Sequence, residues 1–295
     1  MTIIDGKQTA AEIRADLKQK IQKLKSDGKS LPGLAAILVG ENPASKVYVR
    51  SKERACEEVG IYSEVVKLPI ETKETELIAL IEKLNTDKKI NGILVQLPLP
   101  EHINEEKIIQ SISPEKDVDG FHPVSIGKMI LGQETFLSCT PFGIMKLLEK
   151  YKIETSGKHI VVVGRSNIVG KPVANMLLQK KENANAIVTV CHSAADDITQ
   201  YTKQADILIA AVGRANFITA DMVKENVVII DVGINRVEDA TAKRGYKLVG
   251  DVDFEQVSKK ASFITPVPGG VGPMTIAMLL YNTYTSYLWS GKKQN

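Results

Sequence analysis

The sequence predicts an α/β chain folded as two blocks, and three observations carry that prediction. Short apolar runs suited to buried strands recur along the chain, amphipathic helical segments separate them, and a polar, turn-forming middle from Pro114 to Gly120 divides the series. Strands that alternate with helices imply a parallel sheet, since each return to the same direction requires a crossover. With 295 residues, 43% of them hydrophobic, the chain is long enough for two domains of ordinary size.

The first block opens with an amphipathic helix over Thr9 to Ser26 and a strand over Leu34 to Val39. A second helix, Pro43 to Val59, has clear ends: Asn42 suits its cap, Pro43 its first position and Gly60 its exit. A strand over Ser63 to Leu68, a helix over Thr75 to Asn85 and a strand over Gly92 to Leu97 complete the block. After the divide, Thr140-Pro141 starts a helix to about Tyr151. Strands are then predicted at His159 to Val163, Ala186 to Val190, Ile207 to Ala211, Val227 to Asp231 and Phe263 to Thr265, which make a doubly wound domain. A final helix, Thr275 to Trp289, is expected to return to the first domain and leave it discontinuous in sequence. The expected division is therefore residues 1–138 with 273–295, and residues 139–272, with a ligand cleft between the two lobes.

Composition excludes several classes. Lysine and arginine total 38 against 35 acidic residues, and the basic residues are scattered, so nucleic acid is not indicated. Cys56, Cys139 and Cys191 are odd in number and far apart, which suggests neither a disulfide framework nor a thiolate metal cage. His102, His122, His159 and His192 show no metal-ligand spacing, so no metal is expected. Without a leader-like start or an apolar stretch of spanning length, the reading is a cytoplasmic protein with no membrane association.

Two regions carry chemical signals. Strand His159 to Val163 runs into Gly164-Arg-Ser-Asn-Ile-Val-Gly170 and a helix over Val173 to Leu178, the strand, glycine turn and helix order of a phosphate cradle. Ser166 stands where a second glycine of the usual dinucleotide motif would lie, so a pyrophosphate is expected to sit less closely or at a shifted position. The following strand ends Val190-Cys-His-Ser193, with no carboxylate before Asp196. That pattern favours NADP over NAD, with Arg165 and Ser193 toward a 2′-phosphate. The alternatives are a solvated surface charge at Arg165 and a helix cap at Ser193.

On the helix Pro43 to Val59, Tyr48 and Lys52 are four residues apart and share a face beside an apolar stripe that includes Val47, Ala55 and Val59. A lysine in that position loses solvation, which favours its neutral form and lets it act as a base; the alternative is a stem snorkelling over apolar surface. Gln96 interrupts the run Ile93 to Leu97, where a buried amide in a central strand needs partners and could hold a lysine amine. Asp117 and Asp119 are candidates to bind a ligand N–H pair, although aspartate is also common in turns. The run Pro266-Val-Pro-Gly-Gly-Val-Gly-Pro273 fixes an unusual backbone that can pass close to a bound molecule.

Taken together, Tyr48-Val-Arg-Ser-Lys52, Gly92-Ile-Leu-Val-Gln-Leu-Pro-Leu-Pro100, Pro114-Glu-Lys-Asp-Val-Asp-Gly120, Gly164 to Gly170 and Pro266 to Pro273 resemble one family, the bifunctional methylenetetrahydrofolate dehydrogenase/methenyltetrahydrofolate cyclohydrolases. The resemblance implies an N-terminal catalytic domain, a Rossmann-like NADP-binding domain, a folate cleft between them and a homodimer formed through the NADP-binding domains. It implies that Lys52 is catalytic, that Tyr48 positions and stacks on the substrate, and that Gln96 orients Lys52. Asp119 would bind the pterin ring, Gly272 and Pro273 would line the folate site, and Gly164, Arg165, Ser166, Ser193 and Ile234 would hold the cofactor. The implied reaction oxidises 5,10-methylenetetrahydrofolate with NADP and hydrolyses the methenyl product to 10-formyltetrahydrofolate. A dehydrogenase without cyclohydrolase activity and a non-catalytic NADP-binding regulator are the other readings.

Overall fold

A computed structural model describes residues 1–242 and 245–292. The elements begin β1 (Thr2–Ile3), α1 (Gly6–Ser26), β2 (Gly33–Val39), α2 (Pro43–Val59), β3 (Tyr62–Leu68), α3 (Glu74–Thr86), β4 (Gly92–Val95), α4 (Glu105–Ser111), α5 (Pro123–Ile130) and α6 (Cys139–Lys150). They continue with β5 (His159–Val163), α7 (Gly170–Leu178), β6 (Ile187–Cys191), α8 (Thr199–Thr202), β7 (Ile207–Ala210), β8 (Val228–Asp231), β9 (Asn235–Glu238), β10 (Tyr246–Val249), α9 (Phe254–Val257), β11 (Phe263–Ile264) and α10 (Val271–Lys292). The chain forms two compact units, one of Ala11–Cys139 with the chain from Ile276 onward, the other of Met1–Ala10 with Thr140–Thr275.

The unit that begins at Ala11 holds a three-stranded parallel sheet in the order β3-β2-β4. All seven residues of β2 are buried, as expected of a central parallel strand covered on both faces. Its core gathers Ala35, Ile37, Leu77, Ile81, Ile93 and Ile108 from strands and helices α3 and α4. Contrary to the sequence expectation of a central strand through Gln96, β4 stops at Val95 and is an edge strand, so Gln96 lies just past it. The segment after Pro114 covers that edge, where Ile93 N donates to Lys116 O at 2.9 Å.

The other unit holds a six-stranded sheet in the order β1-β11-β8-β7-β5-β6, with every pair parallel. Its central strands are buried through Val161, Leu208, Ile229 and Ile264. The antiparallel pair β9 and β10 was not foreseen, because their alternating exposure leaves too few apolar residues to read as a strand.

The sequence division also needs correction at the N-terminus. Residues 1–10 belong with the six-stranded sheet, since β1 pairs with β11 through Thr2↔Phe263 and Ile3↔Ile264, and Lys7 N donates to Gly269 O at 2.8 Å. Two strand residues are too few for periodicity to report. Helix α10 begins at Val271 and not at Thr275, so Gly272 and Pro273 lie in its first turn. Proline is tolerated there because the first N–H groups of a helix have no intrahelical acceptor.

Asp117, 1% exposed, accepts from Phe121 N at 3.1 Å and His122 N at 2.9 Å. Burial pushes its carboxyl up to about 6 against those two donors. Below that value the folded chain keeps a proton that the unfolded chain, at 3.8, releases, so this contribution to stability is full at low pH and is lost as pH rises through about 6. Wild type should therefore gain stability relative to Asp117→Asn as pH falls from about 7.5 to about 4.5. Urea titrations of both proteins at each pH measure this, and a difference independent of pH contradicts it.

Candidate active site

Helix α2 has the ends its sequence specifies. Asn42 Oδ1 accepts from Ala44 N at 3.0 Å and Ser45 N at 3.1 Å, Pro43 occupies the first turn, and Gly60 closes the helix with φ 89°. A side-chain cap of this kind is worth about 1 kcal/mol and fixes the helical register. The buried face carries Val49, Lys52, Ala55, Cys56 and Val59. Val47 does not join it, being 61% exposed, because it lies off the line through residues 52, 55, 56 and 59.

Lys52 is only 8% exposed, and its Nζ donates to Gln96 Oε1 at 3.0 Å. Gln96 is held in turn: its backbone N donates to Ile37 O at 2.9 Å and its Nε2 to Leu97 O at 2.7 Å. With the amide N–H occupied, the amide oxygen faces the lysine. Tyr48, one turn before Lys52, is 42% exposed and offers an aromatic face at the surface.

Asp119 is the third member of the group. Its neighbour Val118 is buried against Gly92, where an added Cβ would lie 2.6 Å from a Val118 methyl. Asn282 Nδ2 ties Val118 O at 2.8 Å and Leu137 O at 2.9 Å, and Cys139 N donates to Asp119 O at 3.3 Å. Burial raises the Asp119 carboxyl, while the charge Lys52 carries when protonated and the Cys139 thiol oppose that rise. The same burial, followed by the Asp119 charge, pushes the Cys139 thiol well above its ordinary value. Lys52, Gln96 and Asp119 thus form one polar cluster, and Asp117 serves its own loop instead. Sequence reasoning missed Cys139, whose apolar-like side chain gives no pattern that distinguishes it from core.

Seven further sequence candidates fall in the unit with the six-stranded sheet. Gly164 leaves β5 with φ 125°, and an added Cβ would lie 2.2 Å from Ala211 O, so only glycine fits. Ser166 Oγ accepts from Val169 N at 3.2 Å and Gly170 N at 3.4 Å, and Lys171 N donates to Ser166 O at 3.1 Å. Pro172 has no N–H, so helix α7 keeps few free donors of its own. A ligand anion there would meet the helix dipole and the Ser166 hydroxyl, a looser cradle than the full glycine motif gives.

Arg165 is exposed and makes no ion pair among the described residues. Ser193 is exposed two residues past β6 and caps no helix, since α8 begins at Thr199. No carboxylate occupies the end of β6, so the site suits a cofactor bearing an extra phosphate in place of a free ribose hydroxyl. Ile234, 46% exposed, follows β8, and an added Cβ on Gly272 would lie 3.3 Å from its Cδ1. Pro273 adjoins that contact in the first turn of α10.

Comparison with known proteins gives a consistent result. The family model described as the catalytic domain of tetrahydrofolate dehydrogenase/cyclohydrolase matches residues 4–119, and the one described as its NAD(P)-binding domain matches residues 138–290. A curated relative from Chloroherpeton thalassium, Bifunctional protein FolD, is 58% identical over 289 residues, covering 97% of this chain and 98% of the relative. The structure of the bifunctional methylenetetrahydrofolate dehydrogenase/cyclohydrolase from Campylobacter jejuni is 55% identical with TM-score 0.93, covering 98% of this chain and 99% of that one. The Trypanosoma brucei N5,N10-methylenetetrahydrofolate dehydrogenase-cyclohydrolase, solved with NADP cofactor and inhibitor, is 37% identical with TM-score 0.93 over 98% of each chain.

Replacing Gly164 by alanine forces a side chain into the Ala211 carbonyl and should lower unfolding stability by about 2 kcal/mol. Thermal or urea unfolding of Gly164→Ala measures this, and wild-type stability would show that the turn relaxes freely.

Proposed function

We propose the following activity for a chain that belongs to the tetrahydrofolate dehydrogenase/cyclohydrolase family: it is a bifunctional one-carbon enzyme that oxidises 5,10-methylenetetrahydrofolate with NADP and hydrolyses the methenyl product to 10-formyltetrahydrofolate. One observation carries the assignment of residues, the 3.0 Å bond from buried Lys52 to an oriented Gln96 beside Asp119. NADP, when bound, accepts the hydride from the substrate's methylene carbon.

The chain's own residues do the rest. Tyr48 presents its ring to the folate, and Asp119 hydrogen-bonds the pterin N–H groups. Oxidation leaves a methenyl cation, and the Lys52 amine, held by Gln96, serves as the base for the hydrolysis that follows. Water then attacks the methenyl carbon, Lys52 Nζ takes one of its protons, and the carbon–N5 bond breaks as the remaining hydroxyl proton passes to N5 and the new oxygen becomes the formyl carbonyl. One proton is released in net. Gln96 aims the lysine by accepting its N–H.

Gly164, Arg165, Ser166 and Ser193 hold the cofactor phosphates and Ile234 packs against the cofactor, while Gly272 and Pro273 line the folate site. The family's catalytic and NAD(P)-binding roles fall on the Ala11 unit and the six-stranded unit respectively. A homodimer through the latter is supported by exposed Ile187 and Val190 on the edge strand β6. A cytoplasmic location is supported by three free cysteines, all buried.

Lys52→Met should lower hydrolysis of 5,10-methenyltetrahydrofolate by about 10²- to 10⁴-fold while leaving NADP binding intact, as followed by loss of methenyl absorbance and by titration with NADP. Full cyclohydrolase activity in that variant would overturn the role given to Lys52.

A further inference from the structure

Two buried carboxylates in the six-stranded unit have no part in the chemistry above. Asp251, 0% exposed, accepts from Val212 N at 2.6 Å, Gly213 N at 2.9 Å and Arg214 N at 3.0 Å, and from Asn235 Nδ2 at 2.9 Å. Both carboxylate oxygens face donors only, so the group is matched as an acceptor on both sides. Asp231, at the end of β8 and 3% exposed, fixes the backbone of its neighbour: it accepts from Asp251 N at 2.9 Å, Val252 N at 3.0 Å and Gly233 N at 3.0 Å. A side chain at Gly250 would collide with it, an added Cβ falling 1.8 Å from Asp231 Oδ2.

The groups gathered by Asp251 belong to two loops that adjoin the candidate cofactor residues Gly164 and Ile234. Val212 to Arg214 continue from Ala211, whose carbonyl lies where a side chain on Gly164 would fall. Asn235 follows Ile234, which meets Gly272. Three successive backbone N–H groups pointing at one acid leave the loop after β7 little freedom, and the Asn235 bond couples it to the loop after β8.

We propose that Asp251 is a positioning residue for NADP: through Val212–Arg214 and Asn235 it holds the loops after β7 and β8 in the arrangement that receives the cofactor, with Asp231 anchoring it. This rests on the functional reading above. The group touches no reacting atom, so its effect falls on cofactor binding more than on the chemical steps.

Asp251→Asn keeps the shape but sets an amide N–H₂ against N–H donors, leaving part of the loop unpaired. The expected result is NADP binding weakened about 10-fold or more by calorimetric titration. Amide hydrogen exchange should quicken at Val212, Gly213 and Arg214, and KM for NADP should rise more than kcat falls. Asn235→Ala removes one donor and leaves the acid and its backbone bonds, so it should shift NADP affinity the same way by about threefold, which carries the test if Asp251→Asn does not fold. Unchanged NADP affinity in either folded variant overturns the proposal, including where exchange quickens, because the clasp would then serve the fold alone. If wild type itself binds no NADP, the functional reading fails and the proposal with it.

Discussion

Parallel pairing is the constraint on which the rest of this structure depends. When every strand of a sheet runs the same way, the segments that leave the strands' C-terminal ends emerge along one edge. In the six-stranded sheet that edge receives Gly164 after β5, Ser193 after β6, Val212 after β7 and Ile234 after β8. The small sheet repeats the device, since Asn42 and helix α2 follow β2 and Gln96 follows β4. Residues remote in sequence are brought to a common side by backbone geometry before any side-chain contact is made.

Within that frame, the buried polar groups around the candidate site are matched. An amide–carbonyl bond contributes about 1 kcal/mol net, whereas a buried donor or acceptor left unpaired costs about 1–3 kcal/mol. Lys52 meets Gln96, Gln96 meets Leu97 O, and Asn282 spans Val118 and Leu137. Asp231 shows the tension most plainly: burial pushes its carboxyl up to about 7 although three backbone N–H groups pull the other way. Satisfied networks of this type are rigid, and rigidity is what a site needs in order to hold a lysine amine at one orientation.

Much of this was legible in the sequence because local signals and tertiary structure agree. Asn42, Pro43 and Gly60 mark both ends of α2, so the face that carries Lys52 was fixed in advance, and the Gly164 turn sits where strand and helix signals meet. Val47 reads as part of the buried stripe yet is exposed, because hydrophobicity alone does not say which side of a stripe a residue falls on. Gln96 was placed in a central strand because strand order is set by long-range pairing that a run of apolar residues does not report. The pairing of Thr2–Ile3, the β9–β10 pair and the Asp231–Asp251 arrangement escaped for a related reason. Thr2–Ile3 pairs through backbone groups, which are the same at every position, β9 and β10 carry too few apolar residues to read as strands, and Asp231 accepts from the backbone of a residue 20 positions away.

The account stands most directly on one assay: purified protein with 5,10-methylenetetrahydrofolate and NADP, following reduced cofactor and the methenyl intermediate as separate signals. Reduced NADP that forms while methenyl stays low, with 10-formyltetrahydrofolate as the product, is the predicted result. Folded protein that reduces no NADP, or that reduces it and lets methenyl accumulate unhydrolysed, would contradict the bifunctional assignment.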